Sequence, residues 1–396
     1  MKVLIVTERY WPEVGAAPSR LANMAEGMTK HGLEVDVLTS LPNYPKGEIF
    51  DGYKNCMSKT EVRNGVKLFR YWLYATVSRN PLARILNMFS FAVMIWLFMF
   101  KFNKIKSYDR VIIQTPTLVV AASAMLLFKK LYGKTVILNV SDIWPLTAVD
   151  MGAIKEGSKS FRFLSMLERF LYRNSDGILG QSQEILDHIK GFKNKGQLFL
   201  YRNLQHYELS ESYKAKNTAL KVVFSGMLGV AQDVAGIVKN IPFKDLGVEF
   251  HIFGGGKQLE EIQNWISENP DGNVYAHGFI PKEEISKRLQ EMDVSIVPLA
   301  TRIRGAVPSK IYDTLPQGLP ILFCGGGEGA DFIGGNNLGL VSDPGDYDAL
   351  QENIKTFSEM TNEEFEKIRT KCFEISKTQL NFEKQMKETI SFLENI

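Results

Sequence analysis

The stretch Gly305–Pro320, G-A-V-P-S-K-I-Y-D-T-L-P-Q-G-L-P, decides how the rest of the chain is read. It follows an apolar, strand-like run, Val294–Pro298, and a basic loop with Arg302 and Arg304. Pro308 and Ser309 suit the first turn of a helix, and Lys310 and Asp313, three apart, share one of its faces. Gly318 supplies the helix stop, and Ile321–Phe323 reads as the next buried strand. A helix start facing amides and arginines attracts phosphate, because unpaired N–H groups and the helix dipole both favour negative charge. An acid one turn further in can take sugar hydroxyls. These are the parts of a nucleotide-sugar site. Pro316 falls inside the helix, where it removes a backbone donor and predicts a kink in the last turn.

Working outward, apolar strand-like runs alternate with helical patterns along nearly the whole chain, which argues for parallel sheets covered by helices. In the first half the runs are Val3–Val6, Val35–Leu38, Val66–Trp72, Val111–Gln114, Val136–Val140, Gly177–Gly180 and Leu198–Leu200. In the second they are Val222–Phe224, Phe250–Phe253, Val274–His277, Val294–Val297 and Ile321–Phe323. The polar stretch 205–219 has no apolar periodicity and reads as a linker. The expected organisation is an α/β domain over 1–204, a second over 220–380, and a C-terminal helix over 381–396 that caps either one.

The chain has 396 residues, enough for two cores, and its 45% apolar and 23% charged residues are those of an ordinary soluble protein. Cys56, Cys324 and Cys372 are too few and too scattered for a disulfide framework or zinc knuckle, which points to a reducing compartment. The N-terminus lacks the apolar region and cleavage site of a secretion signal. The net charge of +3 conceals an asymmetry: residues 1–200 hold 27 of the 47 Lys and Arg but only 16 of the 44 Asp and Glu. A basic first half suits an anionic partner, nucleic acid or membrane.

From Leu82 to Phe102 the chain is apolar nearly all round. Its uncharged core, Ile85–Phe100, is 16 residues long, about 24 Å of helix at ~1.5 Å per residue and short of a bilayer span. Arg79 and Arg84 precede it, and Lys101, Lys104 and Lys106 follow. A helix lying in the headgroup region of an anionic leaflet fits this pattern, with Phe91, Trp96, Phe98 and Lys101 as its contacts. A core helix is the alternative.

Other candidate residues are weaker singly. Gly15 and Ala16, before the helix that continues through Leu21, Met24 and Met28, offer amides to a ligand or simply turn strand into helix. The glycines at 226, 229, 254–256 and 325–327 match no dinucleotide fingerprint, and no Walker, H-E-x-x-H or G-x-S-x-G motif occurs. The D-x-D at Asp346–Asp348 reads as helix capping, and the five histidines are never at ligand spacing, so a metal-independent reaction without a cofactor is expected. In S-D-I-W-P, Asp142 ends a buried strand, where it could deprotonate an acceptor hydroxyl or merely bond the following loop.

Taken together the chain resembles the retaining glycosyltransferases of family 4, and among them the bacterial capsule and O-antigen branch that includes N-acetylfucosamine transferases. The marks run in order: P-E-V-G-A-A-P-S-R (Pro12–Arg20), L-P-N-Y-P (Leu41–Pro45), D-I-W-P (Asp142–Pro145), F-S-G-M-L-G-V-A-Q (Phe224–Gln232), H-G-F-I-P (His277–Pro281) and P-S-K-I-Y-D (Pro308–Asp313). The resemblance implies a GT-B fold, two facing Rossmann-like α/β domains with a cleft between them. It implies a nucleotide-diphosphate sugar as donor, expected to be UDP-linked, with an N-acetylated amino or deoxy-amino sugar. The expected acceptor is a lipid-linked glycan on the inner face of the plasma membrane, where the enzyme would be cytoplasmic and peripheral; nucleic acid is not expected as a partner.

By the same resemblance Asp313 holds the ribose and Lys310 the departing diphosphate, aided by Gly15 and Ala16 amides, Gly226, Arg304 and Ser309, while Gly278, Phe279 and Ile280 meet the base. Asp142 and Lys310 are the catalytic candidates. The sequence departs from the family at Gly305, where relatives carry a glutamate for the donor sugar, and at Met227 and Gln232, where many carry Arg and Lys. Ser141 stands where many have histidine. A GT-B-fold sugar-nucleotide epimerase and a non-enzymatic membrane-binding module are the alternatives.

Overall fold

The computed structural model describes residues 1–78, 80–192, 197–207 and 216–396. Arg79 and the middle of the polar stretch, 208–215, therefore lie outside the described residues. The first sheet has β1 (Lys2–Val6), β2 (Glu34–Ser40), β3 (Ser58–Arg63), β4 (Val66–Tyr71), β5 (Arg110–Gln114), β6 (Thr135–Val140), β7 (Gly177–Gly180) and β8 (Gln197–Leu200), in the order β3-β4-β2-β1-β5-β6-β7-β8. The second has β9 (Lys221–Ser225), β10 (Glu249–Phe253), β11 (Val274–Gly278), β12 (Val294–Pro298), β13 (Ile321–Cys324) and β14 (Gly339–Ser342), in the order β11-β10-β9-β12-β13-β14. All pairings are parallel except β3 with β4.

Each of the strand-like runs named from the sequence falls in a strand, because a parallel strand covered on both faces must be apolar along its length. β1 shows this, with Val3, Leu4, Ile5 and Val6 all buried. Two strands lie outside those runs. β3, S-K-T-E-V-R, alternates exposed and half-buried residues on the antiparallel edge, and β14 is a four-residue edge strand that begins at Gly339.

The chain divides into two compact units, Met1–Asn203 with Phe382–Ile396, and Leu204–Asn381. The described ends of the polar stretch belong to the second unit. Lys216 Nζ donates to the carbonyls of Ser358 and Met360 at 2.9 and 2.6 Å, and Asn217 to Asp293. The last helix, Phe382–Glu394, packs in the first unit: Met386 and Phe382 lie over Gly27, and Arg110 Nε donates to the Leu393 carbonyl at 2.7 Å.

In each sheet the order of strands reverses once. The chain leaves β1 for β2 on one side and later returns to β5 on the other; in the second unit the same reversal lies between β9 and β12. Open parallel sheets bind ligands beyond the carboxyl ends of their strands at such points, because the loops there diverge to opposite faces.

The apolar segment forms a helix, Pro81–Met94, and then a 3₁₀ stretch, Ile95–Phe100. The structure corrects the choice of contacts on it. Phe91 and Phe98 are fully buried, Phe98 edge-on to Phe69 and Phe128 with centroids 5.3 and 6.2 Å away, and Trp96 is half-buried with its Nε1 donating to Ser123 at 2.9 Å. Lys104 is bound to the buried Asp36 at 2.8 Å. Two stripes run along this segment. Phe91, Met94, Ile95 and Phe98 enter the core, while Leu82, Ile85, Leu86, Phe89, Val93, Leu97 and Phe100 repeat at helical spacing on the outside. An unbroken exposed apolar stripe of that length is unusual on a soluble surface. Lys101 remains exposed beside it.

Candidate functional site

In the second unit the residues beyond β9, β10 and β11 are tied by backbone hydrogen bonds. Gly226 N donates to the Phe253 carbonyl at 2.9 Å, Leu228 N to Gly255 at 3.0 Å, and Gly254 N to Gly278 at 2.8 Å. Glycine is required here by contact: a Cβ on Gly254 would meet the Gly226 carbonyl oxygen at 1.8 Å, and one on Gly256 the Leu228 oxygen at 2.4 Å. The triple glycine therefore packs one loop on another. Gly278 has a left-handed φ of 73° with open space around it, followed by Phe279, 78% exposed, and Ile280, which packs toward Phe253 and Val223.

Against Gly226, at the reversal between β9 and β12, lies Lys310; a Cβ at 226 would be 3.4 Å from its Cε. The helix that carries it, Ser309–Thr314, has only six residues before a 3₁₀ turn, Leu315–Gln317, at Pro316. The missing donor of the proline explains the change of hydrogen bonding, and Gly318 closes the element at φ 69°. So short a helix adds little dipole, and the positive charge here is that of Lys310 itself. Lys310 Nζ lies 3.1 Å from Asp313 Oδ2. Asp313 Oδ1 accepts from the Tyr207 hydroxyl at 2.6 Å and from Gln205 Nε2 at 3.1 Å. Neither Tyr207 nor Gln205 is marked by any sequence pattern.

Arg304 sits half-buried in the loop between β12 and this helix, and Ser309 is half-buried at the helix start. Gly305 has a φ of 74°, so the position where relatives carry glutamate has a backbone that favours glycine. Met227 is 54% exposed and Gln232 half-buried. Neither contributes charge. Asp346 caps the Tyr347–Glu359 helix, accepting from Ala349 N at 2.9 Å, as its sequence position suggests. Among the described residues no group of three or more His, Cys, Asp or Glu is placed to hold a metal ion.

In the first unit Gly15 precedes the Ala16–Lys30 helix at φ 151°, and no side chain caps the amides that follow it. Ala16 is exposed. Glu13, just before, is buried and accepts from Asn43 N and Tyr44 N, each at 2.8 Å. Two of the sequence marks, P-E-V-G and L-P-N-Y-P, are thus one clamp. Burial raises the Glu13 carboxyl, opposed by these two amides.

Asp142 lies beyond β6, and burial pushes its carboxyl up while the Arg20 charge opposes the shift. Arg20 is itself buried, with its pKa lowered by desolvation to about 10; its Nη2 donates to Ser141 Oγ at 2.6 Å and its Nε finds no partner among the described residues. Ser141 therefore receives a guanidinium. The reversal between β1 and β5 holds a carboxyl the sequence reading missed. Glu8 lies two residues past the end of β1, takes a hydrogen bond from Thr117 beyond β5, and is raised by burial, with Arg9 opposing. An acid directly after the V-L-I-V-T run is the signal that could have found it.

Residues 15–195 match the Glycosyl transferase 4-like domain and residues 219–359 the Glycosyl transferases group 1 domain. The chain is a GT-B glycosyltransferase. A relative from Escherichia coli K12, "Putative colanic acid biosynthesis glycosyl transferase WcaI", is 22% identical over 338 residues, 80% of this chain and 82% of its own length. Among solved structures, this glycosyltransferase is similar to the sucrose-phosphate synthase of Thermosynechococcus elongatus, with a TM-score of 0.73 at 13% identity, covering 100% of this chain and 98% of that one. It is also similar to HepE of Anabaena, a structure in complex with UDP, with a TM-score of 0.70 at 13% identity and full coverage of both chains. These likenesses agree with two open α/β units, each with its single reversal of strand order.

Proposed function

We propose that this glycosyltransferase moves an N-acetylated amino or deoxy-amino sugar from a UDP-linked donor to a lipid-linked glycan in the synthesis of a bacterial surface polysaccharide such as capsule or O-antigen, with retention of configuration. The observation that carries the donor site is the meeting of Gly226, Lys310 and Asp313 at the β9/β12 reversal. Lys310 meets the diphosphate, whose charge grows as the sugar bond breaks, and so stabilises the transition state more than the ground state. Asp313 takes the ribose hydroxyls, and Gly278 to Ile280 meet the base. The UDP complex of HepE and the name of the colanic acid relative support the donor and the pathway class. The bacterial N-acetylfucosamine transferase branch is suggested by the sequence marks alone.

The acceptor hydroxyl is handled beyond β1 and β6, where Glu8 and Asp142 are carboxyls raised by burial and so better bases than an exposed acid. Protein cations balance the diphosphate in this reading, and the transfer is metal-independent and needs no cofactor. The enzyme works as a peripheral protein on the cytoplasmic, anionic face of the membrane where such acceptors reside, a reading supported by the outward stripe from Leu82 to Phe100 with exposed Arg84 and Lys101. An epimerase would have no use for that stripe, and a binding module none for Lys310.

Incubating the enzyme with a panel of nucleotide sugars and a lipid-diphosphate-linked sugar, and weighing the lipid product, tests the reading. A lipid heavier by one amino-sugar residue, formed only with a UDP-linked donor and with the anomeric configuration kept, is the expected result. Nucleotide-sugar turnover without any lipid product would overturn it.

A further inference from the structure

The carboxylate of Asp313 is more heavily engaged than a free ribose ligand would be. An ionised carboxylate offers about four lone-pair sites. Tyr207 and Gln205 take two on Oδ1, and Lys310 approaches Oδ2. One site is left, whereas the paired hydroxyls of a ribose need two. Something must leave when a nucleotide enters.

Lys310 is the partner free to go. Its side chain is 40% exposed, against 13% for Asp313, and a diphosphate offers it more negative charge than one carboxylate does. Tyr207 is held differently. It is partly buried, and its hydroxyl is raised above the usual phenol range by burial and by the Asp313 charge, so it stays a donor at any physiological pH. A neutral donor at 2.6 Å fixes the rotation of the carboxylate without competing for Oδ2.

We propose that Tyr207, assisted by Gln205, is a positioning residue: it anchors Oδ1 of Asp313 so that Oδ2, released when Lys310 turns to the diphosphate, receives the ribose hydroxyls. The pair thereby sets how strongly the enzyme selects a ribonucleotide over its deoxy analogues. This rests on Asp313 being the ribose ligand. The two donors come from residues 205 and 207, outside every motif of the donor site, and in the first residues that the second unit contributes after Asn203.

The experiment measures dissociation constants by calorimetry for uridine, guanosine and adenosine diphosphates on the full-length enzyme. The tightest of these is then compared with its 2′,3′-dideoxy analogue. The wild type is expected to prefer the ribonucleotide by about tenfold, the scale of one hydrogen bond to a charged group. Tyr207→Phe should bring that preference to about twofold while leaving the dideoxy affinity near wild type; a role in folding alone would weaken both ligands equally. Gln205→Leu should lower the preference by a smaller factor, and it replaces the first variant if Tyr207→Phe melts early. An unchanged preference in the variant that folds, or an equal loss for both ligands, overturns the proposal. Asp313→Ala separates the two levels. If it keeps the wild-type preference, the ribose assignment itself falls, and this proposal with it. If it abolishes the preference while Tyr207→Phe does not, only the positioning role is lost. Failure of all three diphosphates to bind would overturn both.

Discussion

Replacing the outward stripe by Leu86→Gln, Phe89→Gln and Val93→Gln should release the enzyme from anionic membranes without unfolding it. The three side chains are 57%, 40% and 67% exposed, which together amounts to about one and a half side chains. At ~1.5–3 kcal/mol for each side chain moved fully out of water, immersing them contributes roughly 2–5 kcal/mol, and its loss lowers affinity on the order of a hundredfold. The folding cost is small, since glutamine is a good helix former and exposed substitutions change stability by about 0.5 kcal/mol or less each. The inner stripe gives the opposite result. Phe98→Ala empties a fully buried position between Phe69 and Phe128 and should cost ~3–5 kcal/mol of folding stability. Co-sedimentation with phosphatidylglycerol-containing vesicles, alongside thermal melts, reads both effects. If the triple variant pellets with vesicles as the wild type does, the stripe is not a membrane surface and the reasoning fails.

Lys310→Ala should slow sugar transfer by on the order of a hundredfold, the scale for one donor to a developing charge; an unchanged rate in a single-turnover assay removes Lys310 from the mechanism. Glu8→Gln should stabilise the protein at neutral pH while reducing transfer. The raised native pKa of Glu8 means that the folded form holds a proton the unfolded form has lost, from 4.5 up to the native value, so stability falls as pH rises through that window. Melts of variant and wild type should therefore converge below pH 4.5 and separate above it, and a constant offset at every pH contradicts the assignment. Gly305→Glu should destabilise by about 1 kcal/mol or more because of its φ of 74°, and a variant with gained donor affinity and no stability loss in denaturant titration would refute that.

Much of the fold was legible because burial on both faces leaves an unmistakable apolar run, as in Val3–Val6 or Ile321–Phe323. β3 was not legible, since an antiparallel edge strand with its polar side chains exposed has no such run. The segment from Leu82 to Phe100 was recognised as exceptional, but with no charged residue between Ile85 and Phe100 no charged face marks which stripe points outward. The large aromatics were the natural choice for a membrane, and the structure puts Phe91 and Phe98 against the sheet because their volume fills the core beside Phe69 and Phe128. In the site, Lys310 and Asp313 were readable from spacing on one short helix. Tyr207, Arg20 and Glu8 were not, since each gains its meaning from a partner 106, 121 or 109 residues away in sequence: Asp313, Ser141 and Thr117.

The central claim is a nucleotide-diphosphate site built on Lys310 and Asp313 at the β9/β12 reversal. Calorimetric titration of uridine diphosphate into the wild type, Lys310→Ala and Asp313→Ala tests it most directly. The account predicts saturable binding to the wild type and affinity at least about tenfold weaker in each variant, the scale of one charged hydrogen bond. Equal affinity in all three proteins would contradict it.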